Sequence, residues 1–322
     1  AAGRFEEALP MYQVLESESR AARLRLAAAK CAVMTGNSDR GVASTGQLLR
    51  EDPSNVDALA LRGWALVLGG DGEQGLRFLR EALRLDPDHP EASRWLKQGR
   101  ALDAALARAR QASLTRQFEV AVQAFSEGLA AGPLPPTSAV YVAVLAERAA
   151  ARLRLQDHEG CLEDCNGALQ GRKDCKDAWI TRASALMALG RAAEALKEMD
   201  ELLKVFEHDT VVRHWHHKAD FEVRRARRPD YYSCLGVSTV ATEAEIKAAY
   251  KARAMELHPD KHRDGQCGLS SEEAEARFKL CGQALEILGD GPRRALYDQG
   301  YDAEGIEEEL KNAFHRRTRG HH

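Results

Sequence analysis

A chain of 322 residues, of which 44% are hydrophobic and 30% charged, can bury sizeable apolar cores, so a collagen-like or wholly disordered polymer is excluded. Its 46 Lys and Arg residues nearly balance 49 Asp and Glu residues, and this balance gives no whole-chain attraction for nucleic acid. The longest apolar run, near Val140 to Ala146, ends at Glu147, far short of the roughly 20 residues that a membrane-spanning helix needs.

The seven cysteines are scattered along the chain, and no two of them form a CxxC pair. Such spacing is typical of reduced thiols rather than of a disulfide framework or a structural zinc site. We therefore expect an intracellular protein of the cytoplasm, with the nucleus as the alternative, and we expect no bound metal or cofactor.

A period of 34 residues runs through the first two thirds of the chain. Gly36 and Gly70 are 34 residues apart, and so are Pro53 and Pro87, which close the segments LLREDP and ALRLDP. Gly70 permits a tight turn between two helices, whereas Pro87 cannot continue a helix. The repeating unit is therefore a helix pair, and the segment 56–87 resembles the tetratricopeptide repeat.

Small residues predict that the two helices of this unit cross closely: Gly63 lies in the first helix and Ala82 in the second. Five units are predicted, and they start near Ala22, Val56, Leu102, Val142 and Lys176. Residues 3–15 resemble the second half of a further unit, so we expect the array to begin upstream of Ala1. Stacked units leave a concave groove that can hold a peptide, and a spacer without a ligand is the alternative.

The resemblance allows one test of this groove. Many tetratricopeptide co-chaperones bind the C-terminal carboxylates of heat-shock proteins 70 and 90 with a clamp of Lys, Asn, Asn, Lys and Arg side chains. The matching positions in the third to fifth units hold Leu106, Arg110, Glu147, Asp177 and Thr181. Two of these are acidic and repel a carboxylate, and only Arg110 attracts one. We predict that Arg110, Glu147 and Asp177 belong to the groove without forming this clamp, which disfavours heat-shock protein 90 as a partner.

A basic segment, FEVRRARRPD at 221–230, follows the repeats, and Pro229 ends its predicted helix. A solvated helix that joins two modules is the favoured interpretation. The alternative is a patch for an acidic partner or a phosphate backbone. Because only Phe221 accompanies the arginines, stacking on nucleic acid is the weaker form of that alternative.

Two helices are predicted in the sequence after Asp230. Thr242 with Glu245, and Ser270 with Glu273, form capping boxes that mark where each helix begins. Pro259 disfavours helical geometry at the preceding residue, so the first of these helices ends by Leu257 and a loop follows. The result is a pair of antiparallel helices with an exposed loop at its tip.

Five sequence elements occur in order in this region: DYY, LGV, the helix that ends in His258-Pro259-Asp260, FKLCGQALEIL, and Arg294 three residues before Tyr297-Asp298. Over residues 230–299 this order resembles the J domain of the DnaJ family. The resemblance implies that the loop and the basic face of the preceding helix dock on ATP-bound heat-shock protein 70 and accelerate its ATP hydrolysis. The implied contact residues are Lys247, Tyr250, Lys251, Arg253, His258, Pro259, Asp260 and Lys261.

This docking surface is thinner than in stronger members of the family. Ala248 and Ala252 occupy positions where further basic residues are common, and Glu256 places an acid near the loop. A metal site at His258 and His262 is disfavoured, because the proline between them breaks the helix that would bring the two rings together.

We expect no enzymatic activity of the chain's own, since neither a phosphate-binding loop nor a nucleophile elbow occurs in the sequence. The order of the domains resembles DnaJ-family co-chaperones that carry tetratricopeptide repeats, in which the repeats would bind the client. A structural scaffold that uses the J domain only for docking is the rival hypothesis. The predicted all-α organisation is a tetratricopeptide array over 1–89, a connecting helix over 90–101, a second array over 102–207, a basic linker helix over 208–229, a J domain over 230–300 and a charged tail over 301–322.

Overall fold

The computed structural model describes residues 5, 7, 8, 10, 11, 22–258 and 270–319. Every regular element among these residues is an α-helix, which confirms the all-α prediction. The chain divides into two compact units, 1–216 and 217–322. In the described parts of the chain, no helix combines the length and the apolar character that crossing a bilayer requires.

The repeat unit, residues 1–216, consists of consecutive helices joined by short turns. They are α1 (Ala22–Met34), α2 (Ser38–Glu51), α3 (Val56–Gly69), α4 (Gly72–Leu85), α5 (Pro90–Leu114), α6 (Phe118–Ala130), α7 (Ala139–Arg154), α8 (His158–Gly171), α9 (Lys176–Ala188) and α10 (Ala192–Val205). The next helix, α11 (Thr210–Arg227), contains the boundary between the two units.

Turn glycines and polar caps set the helix boundaries of the repeats. Gly36 and Gly70 have φ angles of +87° and +98°, the left-handed conformation that the predicted turns require. Asn55 and Asp71 accept backbone N–H groups of the third residue that follows each of them, and in this way they cap α3 and α4.

The helices α3 and α4 cross at two glycines, Gly63 and Gly75, and not at the predicted pair of Gly63 and Ala82. A Cβ atom on Gly63 would lie 2.8 Å from the carbonyl oxygen of Gly75, and one on Gly75 would lie 2.6 Å from the carbonyl oxygen of Gly63. The two backbones therefore meet with no side chain between them, while Ala82 is fully buried nearby on α4. Only glycine fits at either position without a backbone shift.

The stretch 90–101 and the first helix of the third predicted unit form one continuous helix, α5. The His89 ring caps it, because Nδ1 accepts the N–H of Ala92 at 3.1 Å while Nε2 lies 3.0 Å from the Asp57 carboxylate. Trp95 stacks on Trp64 with ring centroids 6.0 Å apart. No break occurs at residue 101 because buried apolar residues continue along α5 through its second half.

The GPLPPT segment, 132–137, returns the chain to the first helix pair. The hydroxyl group of Thr137 donates to the carbonyl oxygen of Thr35 at 2.5 Å, and α7 begins two residues later. Val140 and Val144 of α7 then join the core that contains Leu68 of α3. The core of the first predicted array therefore continues into α5, α6 and α7 of the second, whereas α8 and α9 pack on α7 in further clusters.

A buried ion pair holds α7 against α8. Asp164, only 4% exposed, accepts two hydrogen bonds from Arg148 at 2.6 and 2.9 Å, and Arg152 lies 3.2 Å away. Arg148 also donates to the hydroxyl group of Ser126 on α6. Since a buried carboxylate is costly without such partners, this network fixes the position of α7 between its neighbours.

The second unit, residues 217–322, is a small helical domain. After the end of α11 it contains α12 (Tyr231–Leu235), α13 (Glu243–Glu256), α14 (Ser271–Leu288), α15 (Gly291–Gln299) and α16 (Ala303–Arg319). Both predicted capping boxes are present, at Thr242 with Glu245 and at Ser270 with Glu273. Ile246 of α13 is fully buried against Cys281 and Ala284 of α14 in the core of this unit.

Tyr297 and Arg294 attach α12 to α15. The Tyr297 hydroxyl group accepts the N–H of Tyr231 at 3.0 Å and donates to the carbonyl oxygen of Pro229 at 2.9 Å. Arg294 donates to the hydroxyl group of Tyr232, which in turn donates to the Asp298 carboxylate, both at 2.9 Å. The DYY element and the Arg-Tyr-Asp element of the sequence thus form one hydrogen-bonded network.

The segment predicted as a charged tail, 301–322, contains the helix α16. Ile306 is fully buried in the core of the second unit, and Leu310 packs against the same core. Glu307 pairs with Arg293 of α15 at 3.0 Å. The first half of α16 is therefore part of the core of the second unit, whereas residues 311–316 are exposed.

We expect the substitution Gly63→Ala to destabilise the repeat unit by about 1–3 kcal/mol, because the added methyl group forces two helix backbones apart. Gly128→Ala is the matched control, since its Cβ would make ordinary contacts of 3.4 and 3.5 Å with Leu102 and Ala105. Chemical denaturation followed by circular dichroism measures both. Equal stability of the two variants would contradict the assigned backbone contact.

Candidate functional site

One side of α13 is exposed along its length. Lys247, Lys251 and Met255 are four residues apart and so lie on the same side of the helix, with Ala248 and Ala252 beside them. All five are exposed, and we call them the α13 face. Its charged end is at Lys247, in the second turn of α13, and its apolar end is at Met255, three residues before His258.

The positive charge of the α13 face is concentrated at Lys251. Lys247 pairs with Glu243 one turn earlier on the exposed surface, where an ion pair contributes little and opens easily. Lys251 makes no ion pair with the described residues. Arg253 lies on another side of α13, near Gly236, and pairs with Glu256 at 3.1 Å.

Two of the implied contact residues also support the fold. Tyr250 is half-buried and packs against the core of the second unit. His258 is exposed, and its ring meets Phe278 of α14 edge to face, with centroids 6.5 Å apart. Because Leu257 is buried, the chain is anchored immediately before His258. Pro259, Asp260 and Lys261, together with His262, lie outside the described residues.

Met255 is a candidate contact residue that the sequence reasoning missed. Its side chain is 68% exposed although the residue belongs to an amphipathic helix. An exposed methionine adapts its shape to an apolar partner surface. Its spacing of four from Lys251 was the available signal, because that spacing places it on the face already singled out for its charge.

In the repeat unit, two of the three candidate groove residues, Arg110 and Glu147, are in direct contact, and the third, Asp177, shares a pocket with Glu147. Arg110 of α5 donates to both carboxylate oxygens of Glu147 on α7, at 2.9 and 2.8 Å. This hydrogen bonding raises the pKa of the Arg110 guanidinium. Asp177 lies in the first turn of α9, where it lines a pocket together with Glu147 and Thr181. Among these positions only Arg110 carries a positive charge, and it is paired with Glu147, so a carboxylate clamp here would have to displace that acid. That the repeats do without this clamp stays a prediction.

The arginines of the basic segment are largely engaged within the second unit. Arg224 pairs with Asp220 at 2.6 Å and Arg225 with Glu222 at 3.6 Å. The guanidinium of Arg228 lies 4.3 Å from the centre of the Tyr297 ring. These contacts favour a structural helix over a patch for an acidic partner.

Among the residues that the structure describes, no three His, Cys, Asp or Glu side chains are grouped as metal ligands. Cys161 and Cys165, four residues apart on α8, are fully buried, and hydrogen bonding between them raises the pKa of the Cys165 thiol. These two thiols therefore serve packing.

Comparison with known families finds a match within each of the two units. Residues 230–298 match the DnaJ domain, and residues 32–90 match the tetratricopeptide repeat. The repeats are also similar to the solved tetratricopeptide domain of P58(IPK), with a TM-score of 0.53 and 20% identity over 65% of this chain and 57% of that one. At this identity the likeness shows the fold alone.

Proteins that carry DnaJ in their names are similar to this chain over most of its length. The chain is 30% identical to DnaJ homolog subfamily C member 7 of Homo sapiens and of Mus musculus over 305 residues, which are 94% of this chain and 60% of each relative. It is 33% identical to the homolog of that protein from Schizosaccharomyces pombe, over 85% of this chain and 56% of the relative. The chain thus spans about 60% of the length of the curated relatives that it matches.

The match over 230–298 coincides with α12 to α15, and the hydrogen-bonded network and both capping boxes of the second unit fall within it. The chain therefore carries tetratricopeptide repeats followed by a J domain of the DnaJ family, and over most of its length it is similar to DnaJ homolog subfamily C member 7.

Proposed function

We propose that this protein is a co-chaperone whose J domain docks on a heat-shock protein 70 in its ATP-bound state and stimulates ATP hydrolysis there. The tetratricopeptide repeats bind a client or a second chaperone. The observation that carries the proposal is the DnaJ-domain match together with the exposed α13 face that leads to His258. The nucleotide and its metal belong to the partner, so the residues named here are contact residues.

The α13 face offers two kinds of contact. Lys251, which forms no ion pair with the residues that the structure describes, supplies a cation for an acidic partner surface. Such complementarity chiefly sets specificity and association rate. Met255 and the neighbouring alanines supply an apolar patch that can be buried in the interface. The buried core behind them, with Ile246 at its centre, keeps both in place before the partner arrives.

Heat-shock protein 90 is not part of the proposal. A carboxylate clamp needs free cations and amides along the groove, whereas Arg110 is committed to Glu147 and the remaining positions are apolar, acidic or a threonine. An acidic C-terminal peptide would meet repulsion from Asp177.

The low positive charge of the α13 face supports the rival hypothesis, in which the protein is a scaffold. With Lys247 paired and alanines at two outward positions, the J domain could dock without stimulating its partner, as a scaffold module would. A single-turnover measurement of ATP hydrolysis by heat-shock protein 70, with and without this chain, separates the two. A rate that the chain leaves unchanged, despite binding, favours the scaffold.

We expect His258→Gln and Asp260→Asn each to abolish stimulation in this assay, because the first replaces the imidazole and the second the carboxylate that the resemblance to the J domain implies for docking. His315→Gln is the matched control, since it makes the same exchange at an exposed position of α16. Circular dichroism should show unchanged helix content in all three variants. Full stimulation by either loop variant would refute the assigned role of the loop.

The two contacts of the α13 face should respond differently to salt. Lys251→Glu and Met255→Ala are each expected to raise the concentration of chain that gives half-maximal stimulation by about five-fold at low ionic strength. At high ionic strength the effect of Lys251→Glu should shrink, because salt screens exposed charges, whereas that of Met255→Ala should persist.

The matched control for these measurements is Lys311→Glu, an identical change of charge on the exposed part of α16. It should leave the half-maximal concentration unchanged at both salt concentrations. An identical salt response of the two α13 variants would argue against the division of the face into a charged and an apolar contact.

A further inference from the structure

Two neighbouring pockets lie along the groove of the repeat unit. The larger, of about 490 Å³, lies between α7 and α9, and its apolar lining residues include Ala146, Ala150 and Ile180. The smaller, of about 170 Å³, lies between α3, α5 and α7, and Val67, Leu102 and Val140 are among its lining residues. We call them the α7–α9 pocket and the α5–α7 pocket.

The pockets are joined along α7. Ala139 and Ala143 line both of them, so only small side chains separate one from the other. Arg110 lines the α5–α7 pocket, and its partner Glu147 lines the α7–α9 pocket. Their ion pair therefore spans the two pockets and presents N–H donors and carboxylate oxygens beside both.

The charges that remain in the groove after internal pairing are negative. The pair between Arg110 and Glu147 cancels, and so does the pair between Arg172 and Asp174, whose closest atoms are 3.0 Å apart. What remains is one exposed carboxylate in each pocket, that of Asp103 or of Asp177.

Asp103 lines the α5–α7 pocket beside Gly72, and Asp177 lines the α7–α9 pocket. Both are exposed, and neither forms an ion pair with the described residues. Each apolar pocket thus has its own unneutralised acid at the rim. This pattern is opposite in sign to a site for acidic peptides.

We infer that the groove binds an extended segment of another protein in which two aliphatic side chains are flanked by lysine or arginine. The aliphatic groups enter the two pockets, and the flanking cations pair with Asp103 and Asp177. The Arg110–Glu147 pair offers a donor and an acceptor to the backbone between the two anchors. This inference rests on the proposed function in one respect, namely that the repeats bind a protein partner.

Charge complementarity selects this occupant. Asp103 lies near Arg110 and Asp177 near Lys176, but these cations are already paired with Glu147 and Asp209, so the charge beside each pocket stays negative. This negative charge favours cationic flanks and disfavours acidic ones, because like charges at close range are costly. Burial of the aliphatic side chains supplies the affinity, and the acids determine which sequences are accepted.

Fluorescence anisotropy with three fluorescein-labelled nine-residue peptides tests the inference on the full chain. Each peptide carries two leucines, flanked by lysines in the first, glutamines in the second and glutamates in the third. We expect the lysine peptide to bind most tightly and the glutamate peptide most weakly, with a preference that diminishes as salt is added. Equal binding of all three peptides, a preference for the glutamate peptide, or no binding of any peptide would overturn the inference.

Variants of the chain locate the binding to this groove. Asp103→Asn and Asp177→Asn should each weaken binding of the lysine peptide about two- to five-fold, as expected for exposed ion pairs. Replacing both by lysine should reverse the preference in favour of the glutamate peptide. Glu163→Gln, the same loss of one charge at an exposed position of α8, is the matched control and should change nothing.

A larger side chain at Ala143, which lines both pockets, tests whether the pockets are the binding site. Ala143→Phe should reduce binding of all three peptides by about ten-fold or more, because the ring occupies space that the leucines need. Circular dichroism establishes that this variant folds. If it does not, the charge variants still decide the question, since neither alters the packing of the groove.

The peptide-binding assay tests the groove independently of the proposed function of the J domain. No heat-shock protein 70 is present in the peptide assay, and the His258→Gln variant should bind the peptides as the unaltered chain does. A chain that stimulates ATP hydrolysis but shows no peptide preference refutes the groove inference alone. A chain that selects the lysine peptide but gives no stimulation refutes the J-domain proposal alone.

Discussion

The attachment of α7 to α3 is the constraint on which the groove of the repeat unit depends. Val140 and Val144 place one side of α7 in the core of the first helix pairs, and Arg148, four residues after Val144 on the same side, forms the ion pair with Asp164 of α8. Ala139 and Ala143 line both pockets of the groove. A single helix thus supplies core contacts, a buried ion pair and a pocket wall.

In the J domain, the core residues and the exposed contact residues lie on different sides of one helix, α13. Ile246 and Tyr250 direct one side of α13 toward α14, while Lys251 and Met255 lie on the exposed side. Burial raises the pKa of Tyr297, so its hydroxyl group stays protonated and keeps its hydrogen bond to the carbonyl oxygen of Pro229. Because the network around Tyr297 is remote in sequence from α13, the docking side is free to vary without loss of the fold.

Local signals in the sequence predicted much of this architecture. The capping boxes at Thr242 and Ser270 and the turn at Gly70 depend on neighbouring residues, and they occur as the sequence indicates. The shared core and the pair between Arg110 and Glu147 could not be predicted, because contacts between residues far apart in sequence leave no periodic pattern. The packing of α16 was missed because its segment is rich in charged residues. Its apolar residues, such as Ile306 and Leu310, are too few to indicate that one side of a helix is buried.

The hydrogen bond between Thr137 and Thr35 has a consequence for the assembly of the repeats. Tetratricopeptide units contact mainly their sequence neighbours, so an array can nucleate at any unit and grow in either direction. The bond joins residues 102 positions apart, and closing so long a loop costs entropy that local helix pairing does not. The contact of α7 with the first helix pair therefore carries an entropic cost that its pairing with α8 does not, and the groove wall is supported by a part of the chain that lines neither of its two pockets.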